Sequence, residues 1–251
     1  MEERGRLDRG DGVELAWIRR RGREPMVVFL PGFRSEMQGE KGTHLAAFCA
    51  GHGVAMLRLD YSGHGASGGE FAEGAIGRWM EDALAVIDRE AGPSLVLVGS
   101  SMGGWIALLI ALCRPERIAG LLGIAAAPDF TETLMWQAMT PVEQARLLAE
   151  GSLTAPSDYG EPILITRGLI EDGRRHLLLN GPIPISCPVR LLHGQQDPDV
   201  PWETALRTAE RITGEDVRVT LVKDGTHRLS RPQDLALLSS TLAGLLDKDG
   251  G

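Results

Sequence analysis

The strongest constraint on the fold is an alternation. Short runs of Val, Leu and Ile recur along the chain with longer stretches of helical periodicity between them. Met26–Leu30, Val54–Leu59, Leu95–Val98, Leu121–Ala125, Val189–His193 and Val217–Val222 read as buried strands. Lys41–Ala50, Ile76–Glu90, Met102–Cys113, Trp202–Ile212 and Pro232–Leu246 read as helices. Such alternation predicts an α/β fold: a mostly parallel, twisted sheet with helices on both faces. Val13–Arg19 follows an Asp11-Gly12 turn and alternates apolar with polar residues, the pattern of a hairpin strand near a sheet edge.

One stretch breaks the rhythm. The chain between Asp129 and Pro188 is far longer than the usual connection of about 4–6 residues. Thr140-Pro141 predicts a helix running to Ala149, and a second helical pattern covers Thr166–Leu179. Pro182, Pro184 and Pro188 then return the chain in extended form. The stretch leaves from the carboxyl end of a strand, where open α/β sheets place their ligand sites. The expected organisation is a core of residues 1–129 and 189–251 with a helical lid over 130–188.

Composition narrows the class. The chain has 251 residues, 43% apolar and 24% charged, which suits one soluble globular domain. A formal net charge of −8 argues against nucleic acid or an anionic membrane surface as partner. No apolar run approaches the roughly 20 residues of a membrane span. Met1-Glu2-Glu3-Arg4 lacks a signal-peptide core and is too acidic for a transit peptide. Cys49, Cys113 and Cys187 form no Cys-x-x-Cys pair and are odd in number. Together these features lead to a cytoplasmic expectation.

The chemistry is concentrated at Gly99-Ser100-Ser101-Met102-Gly103, directly after Leu95–Val98. A Gly-x-Ser-x-Gly at a strand-to-helix corner puts the serine on a sharp turn with no room for neighbouring Cβ atoms. Only Ser101 has glycines at both required positions, so it is the candidate nucleophile. A serine hydroxyl needs a base, usually histidine, and at such a corner the partners follow in the order Ser, acid, His. His227, in Asp224-Gly225-Thr226-His227, is the one histidine that follows both Ser101 and the acidic turn after the penultimate strand. That turn offers Asp197 and Asp199; Asp197 is the expected acid and Asp199 the alternative. The oxyanion formed on attack needs preorganised donors. The expected ones are the backbone N–H groups of Met102, which follows the nucleophile, and Phe33, since Pro31 has none.

Gly63-His64-Gly65-Ala66-Ser67-Gly68 matches a dinucleotide-binding pattern, but Gly69 continues the loop and no acidic residue ends the next strand. His193 lacks the partners of a metal site and reads as a structural residue at a strand end. No cofactor or metal is expected. Leu134, Met135, Trp136 and Met139 cluster in the lid, with Trp136 and Met139 expected to bind an acyl chain.

These residues resemble the α/β-hydrolase serine esterases, and most of all the group of mitochondrial palmitoyl-protein thioesterases also described as mycophenolic acid acyl-glucuronide esterases. The resemblance rests on Leu30-Pro31-Gly32-Phe33 with Ser35, Met37 and Gly39, Asp60-Tyr61-Ser62-Gly63, and Gly99-Ser100-Ser101-Met102-Gly103-Gly104-Trp105. It continues through Cys187–Gly194, Val200-Pro201-Trp202 and His227-Arg228, and so spans almost the whole chain. It implies a Ser101–Asp197–His227 triad and hydrolysis of carboxylic esters or thioesters, with a small molecule or an acylated protein as substrate. A peptidase or acyltransferase on the same fold, or a non-catalytic binding protein, is the alternative. The family's organelle-targeting extension is not matched here, so the cytoplasmic expectation stands at this point.

Overall fold

The computed structural model describes residues 1–155 and 162–247. Eight strands form the main sheet: β1 (Glu2–Asp8), β2 (Glu14–Arg20), β3 (Arg23–Leu30), β4 (Val54–Leu59), β5 (Leu95–Ser100), β6 (Ile118–Ile124), β9 (Val189–Gly194) and β10 (Val217–Val222). Their order is β1-β2-β4-β3-β5-β6-β9-β10. The six strands from β4 to β10 run parallel, and β2 and β1 add an antiparallel edge. The strands β7 (Ser152–Ala155) and β8 (Ile163–Thr166) pair separately, antiparallel to each other.

Period-two alternation in the strands builds two cores. Leu95 and Leu97 of β5 face α2 (Ile76–Glu90), α3 (Met102–Cys113) and α6 (Glu203–Arg211), through Trp79, Val86, Trp105 and Ala205. Val96 and Val98 face α1 (Glu40–Gly51) and α7 (Pro232–Leu246), through Leu45, Cys49, Leu238 and Leu242. This is the expected α/β sheet covered on both faces. Because β3, β5, β6, β9 and β10 are parallel, their carboxyl ends share one edge, where the loops carrying the site residues converge.

Several local expectations change. β1 carries no apolar alternation, yet it pairs with β2 along its whole length. Ion pairs from Glu3 to Arg19 (2.7 Å) and Glu2 to Arg58 (2.7 Å) accompany the pairing. β10 is half-exposed rather than buried, because it is the last strand of the sheet. The helix expected over Thr166–Leu179 stops early: α5 (Arg167–Gly173) gives way to a tight turn at Arg174–His176. The cause lies outside it. Both oxygens of the buried Asp129 carboxylate accept N–H groups, from Leu178 at 2.8 Å and Leu179 at 2.9 Å, which draws that backbone out of helical geometry.

The segment between β6 and β9 has a small core of its own. Leu147 of α4 (Pro141–Glu150), Leu153, Ile165 and Ile170 are buried together, with Met135, Trp136 and Met139 packed against them. Thr140 and Glu143 cap α4 reciprocally, which sets its start at the predicted Pro141.

Candidate active site

Ser101 closes β5 at φ 54° and ψ −119°, a strained conformation for a residue with a Cβ, costing about 1–3 kcal/mol. Its neighbours hold it there. The Ser101 N–H donates to the Ile124 carbonyl at 2.9 Å, and the Ser101 carbonyl accepts from Gly104 at 2.9 Å and Ala127 at 3.1 Å. The flanking glycines answer a close approach: a Cβ at Gly99 would overlap the Gly103 carbonyl, and one at Gly103 would overlap the Leu30 carbonyl. Gly32 also lies near the corner, less tightly: a Cβ there would sit 3.3 Å from the Ser101 Cβ.

The Ser101 hydroxyl lies 3.1 Å from His227 Nε2, and His227 Nδ1 lies 2.8 Å from Asp197 Oδ2. In this arrangement Nδ1–H donates to the carboxylate and Nε2 accepts the serine proton. Asp197 Oδ1 accepts the N–H groups of Asp199 and Val200, each at 2.9 Å. The structure thus joins His227 to Asp197, while Asp199 supplies a backbone donor to that same carboxylate. Burial would raise the Asp197 pKa, but hydrogen bonds from His193 and His227 outweigh it and hold the carboxyl well below the usual carboxylate range. Asp197, Asp199 and His227 offer atoms close enough together to suggest a cation site, but the Asp197 and His227 atoms are spent on each other.

His193 is the structural strand-end residue that the sequence leads one to expect. It is fully buried, with Nε2 3.2 Å from Asp197 Oδ2 and 3.0 Å from the Val200 carbonyl, so it braces the turn that carries Asp197. Lys41 was not legible in sequence as a site residue. It lies at the start of α1, and its ammonium donates to the Arg228 carbonyl and, at 3.5 Å, to the Ser230 hydroxyl, tying down the loop that bears His227. Burial, with help from Arg228, pushes the Lys41 pKa down to about 8.

A cavity of about 600 Å³ opens over Ser101 and His227. Its apolar lining includes Phe33, Ala127, Phe130, Leu134, Met135 and Ile163, and its polar lining includes Arg34, Ser35, Lys41, Arg228 and Ser230. The Phe33 ring is wedged edge-on against Phe71 (5.0 Å), Phe130 (5.7 Å) and Trp79 (5.8 Å). Met102 opens α3 beside Ser101 and is buried. Trp136 and Met139, expected against an acyl chain, are absent from the cavity wall. They pack into the segment's own core instead, and the Arg174 guanidinium covers the Trp136 ring at 4.5 Å. The wide turn at Thr131–Trp136 presents Leu134 and Met135 to the cavity in their place.

The family described as serine aminopeptidase, S33, matches residues 23–157. The palmitoyl-protein thioesterase ABHD10, mitochondrial, of Mus musculus is 41% identical over 96% of this chain and 82% of its own length. Its Homo sapiens counterpart is 40% identical over 96% of this chain and 79% of its own. The solved structure of mouse alpha/beta hydrolase domain-containing protein 10 superposes with a TM-score of 0.92 at 40% identity, covering 98% of this chain and 99% of that one. These relatives overturn the cytoplasmic expectation, since they are named mitochondrial and so point to that organelle. Among the described residues no helix is long and apolar enough to cross a membrane. With a family match over more than half the chain and likeness to these thioesterases over 96% of it, the chain belongs to the α/β-hydrolase family.

Proposed function

We propose that this hydrolase cleaves acyl thioesters and carboxylic esters through an acyl-enzyme on Ser101, with His227 as base and Asp197 as orienting acid. The observation that carries the reading is the continuous hydrogen-bonded path from the Ser101 hydroxyl through His227 to Asp197 at a strained strand-to-helix corner. Ser101 Oγ attacks the acyl carbonyl as its proton passes to His227 Nε2. Asp197 holds the imidazole in the tautomer that can accept it and stabilises the imidazolium. The carbonyl oxygen becomes an oxyanion, met by the N–H groups of Phe33 and Met102. His227 then protonates the departing thiolate or alkoxide. A water then attacks the acyl carbonyl as its proton passes to His227, the bond to Ser101 Oγ breaks, His227 returns the proton to Oγ, and the carboxylic acid leaves.

The segment over 130–188 acts as the lid, and the acyl chain lies along its Leu134 and Met135. The leaving group then lies towards the polar lining residues Lys41 and Arg228. The relatives named palmitoyl-protein thioesterase support an acylated protein as substrate, and the resemblance to acyl-glucuronide esterases supports small esters. Labelling with a fluorophosphonate probe tests the assignment. Stoichiometric modification of Ser101, abolished in Ser101→Ala, is expected; a pure, folded protein that does not label contradicts it.

A further inference from the structure

The Gly63-His64-Gly65 loop has no part in binding a dinucleotide, yet it is built to close tolerances. Gly63 adopts φ 72°, and a Cβ there would lie 2.6 Å from the Phe71 backbone. A Cβ at Gly65 would overlap the Asp60 carboxylate. These glycines let the loop after β4 fold tightly on itself and against Phe71, and side chains of that loop then reach the loop after β3 that carries Phe33.

Side chains of the loop after β4 grip the backbone of the loop after β3 at successive points. The Tyr61 hydroxyl donates to the Pro31 carbonyl at 3.2 Å. His64 Nε2 accepts the Arg34 N–H at 3.2 Å. Asp60 Oδ1 accepts the Met37 N–H at 2.6 Å. Between the first two grips lies Phe33. The loop after β3 needs holding, because its turn, closed by Ser35 N–H to the Gly32 carbonyl at 3.0 Å, puts Arg34 at a left-handed φ of 58°. That conformation costs a residue with a Cβ about 1–2 kcal/mol and persists only where the surroundings impose it.

His64 is itself fixed on every side. Its Nδ1–H donates to the Ser62 carbonyl at 3.1 Å, which leaves Nε2 as the acceptor that Arg34 requires. Phe71 and Trp79 pack edge-on against its ring at 5.2 and 5.1 Å, and both also contact Phe33. Burial pushes the His64 pKa down, in keeping with a neutral ring. Ser62 is anchored in turn on the buried Asp82, which accepts its N–H at 2.8 Å and its hydroxyl at 2.6 Å.

We infer that His64 and Tyr61 are positioning residues for the oxyanion hole: they clamp the backbone on either side of Phe33 and aim its N–H at the developing oxyanion. The inference rests on the reading of Ser101 as nucleophile. His64 touches no reacting atom and transfers no proton; it acts through the Phe33–Arg34 peptide.

The test compares His64→Leu, His64→Gln and Tyr61→Phe with the parent and with Ser101→Ala, all as the full chain. Active sites are titrated with fluorophosphonate, and kcat and KM are measured on p-nitrophenyl butyrate. A trifluoromethyl ketone serves as oxyanion probe: Ser101 Oγ adds to its carbonyl, the serine proton passes to His227, and the carbonyl oxygen becomes the alkoxide. Losing an oxyanion donor costs about 10²–10³-fold in rate, so misaiming one is expected to lower kcat per titrated site by roughly 10–100-fold in His64→Leu. KM should stay within about twofold and ketone affinity should fall in step with kcat. His64→Gln keeps an acceptor and should recover most of the loss. Tyr61→Phe removes one oxygen from a ring that stays buried, so it reports on the clamp even if His64→Leu fails to fold. Parental kcat per site and ketone affinity in both His64→Leu and Tyr61→Phe, with Ser101→Ala inactive, overturn this inference alone. Full turnover by Ser101→Ala overturns the nucleophile reading and this inference with it.

Discussion

His227 Nδ1 lies 2.8 Å from Asp197 Oδ2, while the other oxygen of that carboxylate accepts two backbone N–H groups from the turn that follows it. The carboxylate is therefore fixed before it orients the imidazole. Asp197→Asn keeps the shape but presents an amide that favours the wrong tautomer of His227. We expect kcat to fall by about 10³–10⁴-fold with little change in thermal stability, measured as steady-state turnover beside a melting curve. An Asp197→Asn enzyme within tenfold of the parent would remove Asp197 from the mechanism.

The acyl-chain preference should follow Leu134 and Met135 and not Trp136. Leu134→Trp fills the apolar side of the cavity and should lower kcat/KM for long-chain esters by about tenfold or more relative to short-chain esters. Trp136→Phe, altering a ring outside the cavity wall, should leave the chain-length profile flat relative to the parent. The measurement is kcat/KM across a series of p-nitrophenyl esters.

Asp172 fastens α5 to the start of α2. Its Oδ2 accepts the Gly77 N–H at 2.7 Å, and Arg175 and His176 lie beside it. Burial would raise its pKa, but His176, the Gly77 N–H and Arg175 prevail and hold it at about 2, against an ordinary 3.8. A carboxylate depressed on folding contributes stability above its unfolded pKa and loses it as pH falls towards the folded one. The contribution is about 1–2 kcal/mol once solvent screening is allowed for. Asp172→Asn should therefore be less stable than the parent at pH 5, and the gap in urea unfolding should close as pH falls from about 4 towards 2.

Lys41 also makes stability rise with pH, but because its charged form is disfavoured rather than favoured by folding. Its pKa of about 8 lies below the ordinary 10.5, so folding disfavours its charge. The penalty is full below pH 8 and is relieved as pH rises towards 10.5. Relative to Lys41→Met, the parent should gain about 1–3 kcal/mol of stability between pH 7.5 and 10. Lys41→Met should also loosen the Arg228 backbone and lower kcat, since the ammonium holds the loop bearing His227.

The α/β sheet was legible because parallel strands buried on both faces leave dense apolar runs, and β5 is buried at every position. The Ser101–Asp197–His227 cluster was legible because a glycine-flanked strand-to-helix corner and the chain order Ser, acid, His leave one serine, one acidic turn and one histidine. The structure puts the three within hydrogen-bonding distance. What escaped depends on contacts distant in sequence. Trp136 and Met135 are adjacent, and only the wide turn over Thr131–Trp136 decides which one faces the cavity. Lys41 reaches Arg228 across 187 positions, and no local pattern records that. The polar β1 gains its place by pairing with β2, a choice made by the neighbour as much as by its own residues.

The most direct test of the central claim is turnover of matched acyl esters and thioesters by Ser101→Ala beside the parent. The account predicts hydrolysis of both classes by the parent. It predicts a loss of roughly 10³-fold or more in kcat for the variant, with its fold and melting temperature retained. Parental turnover by Ser101→Ala on these substrates would contradict it.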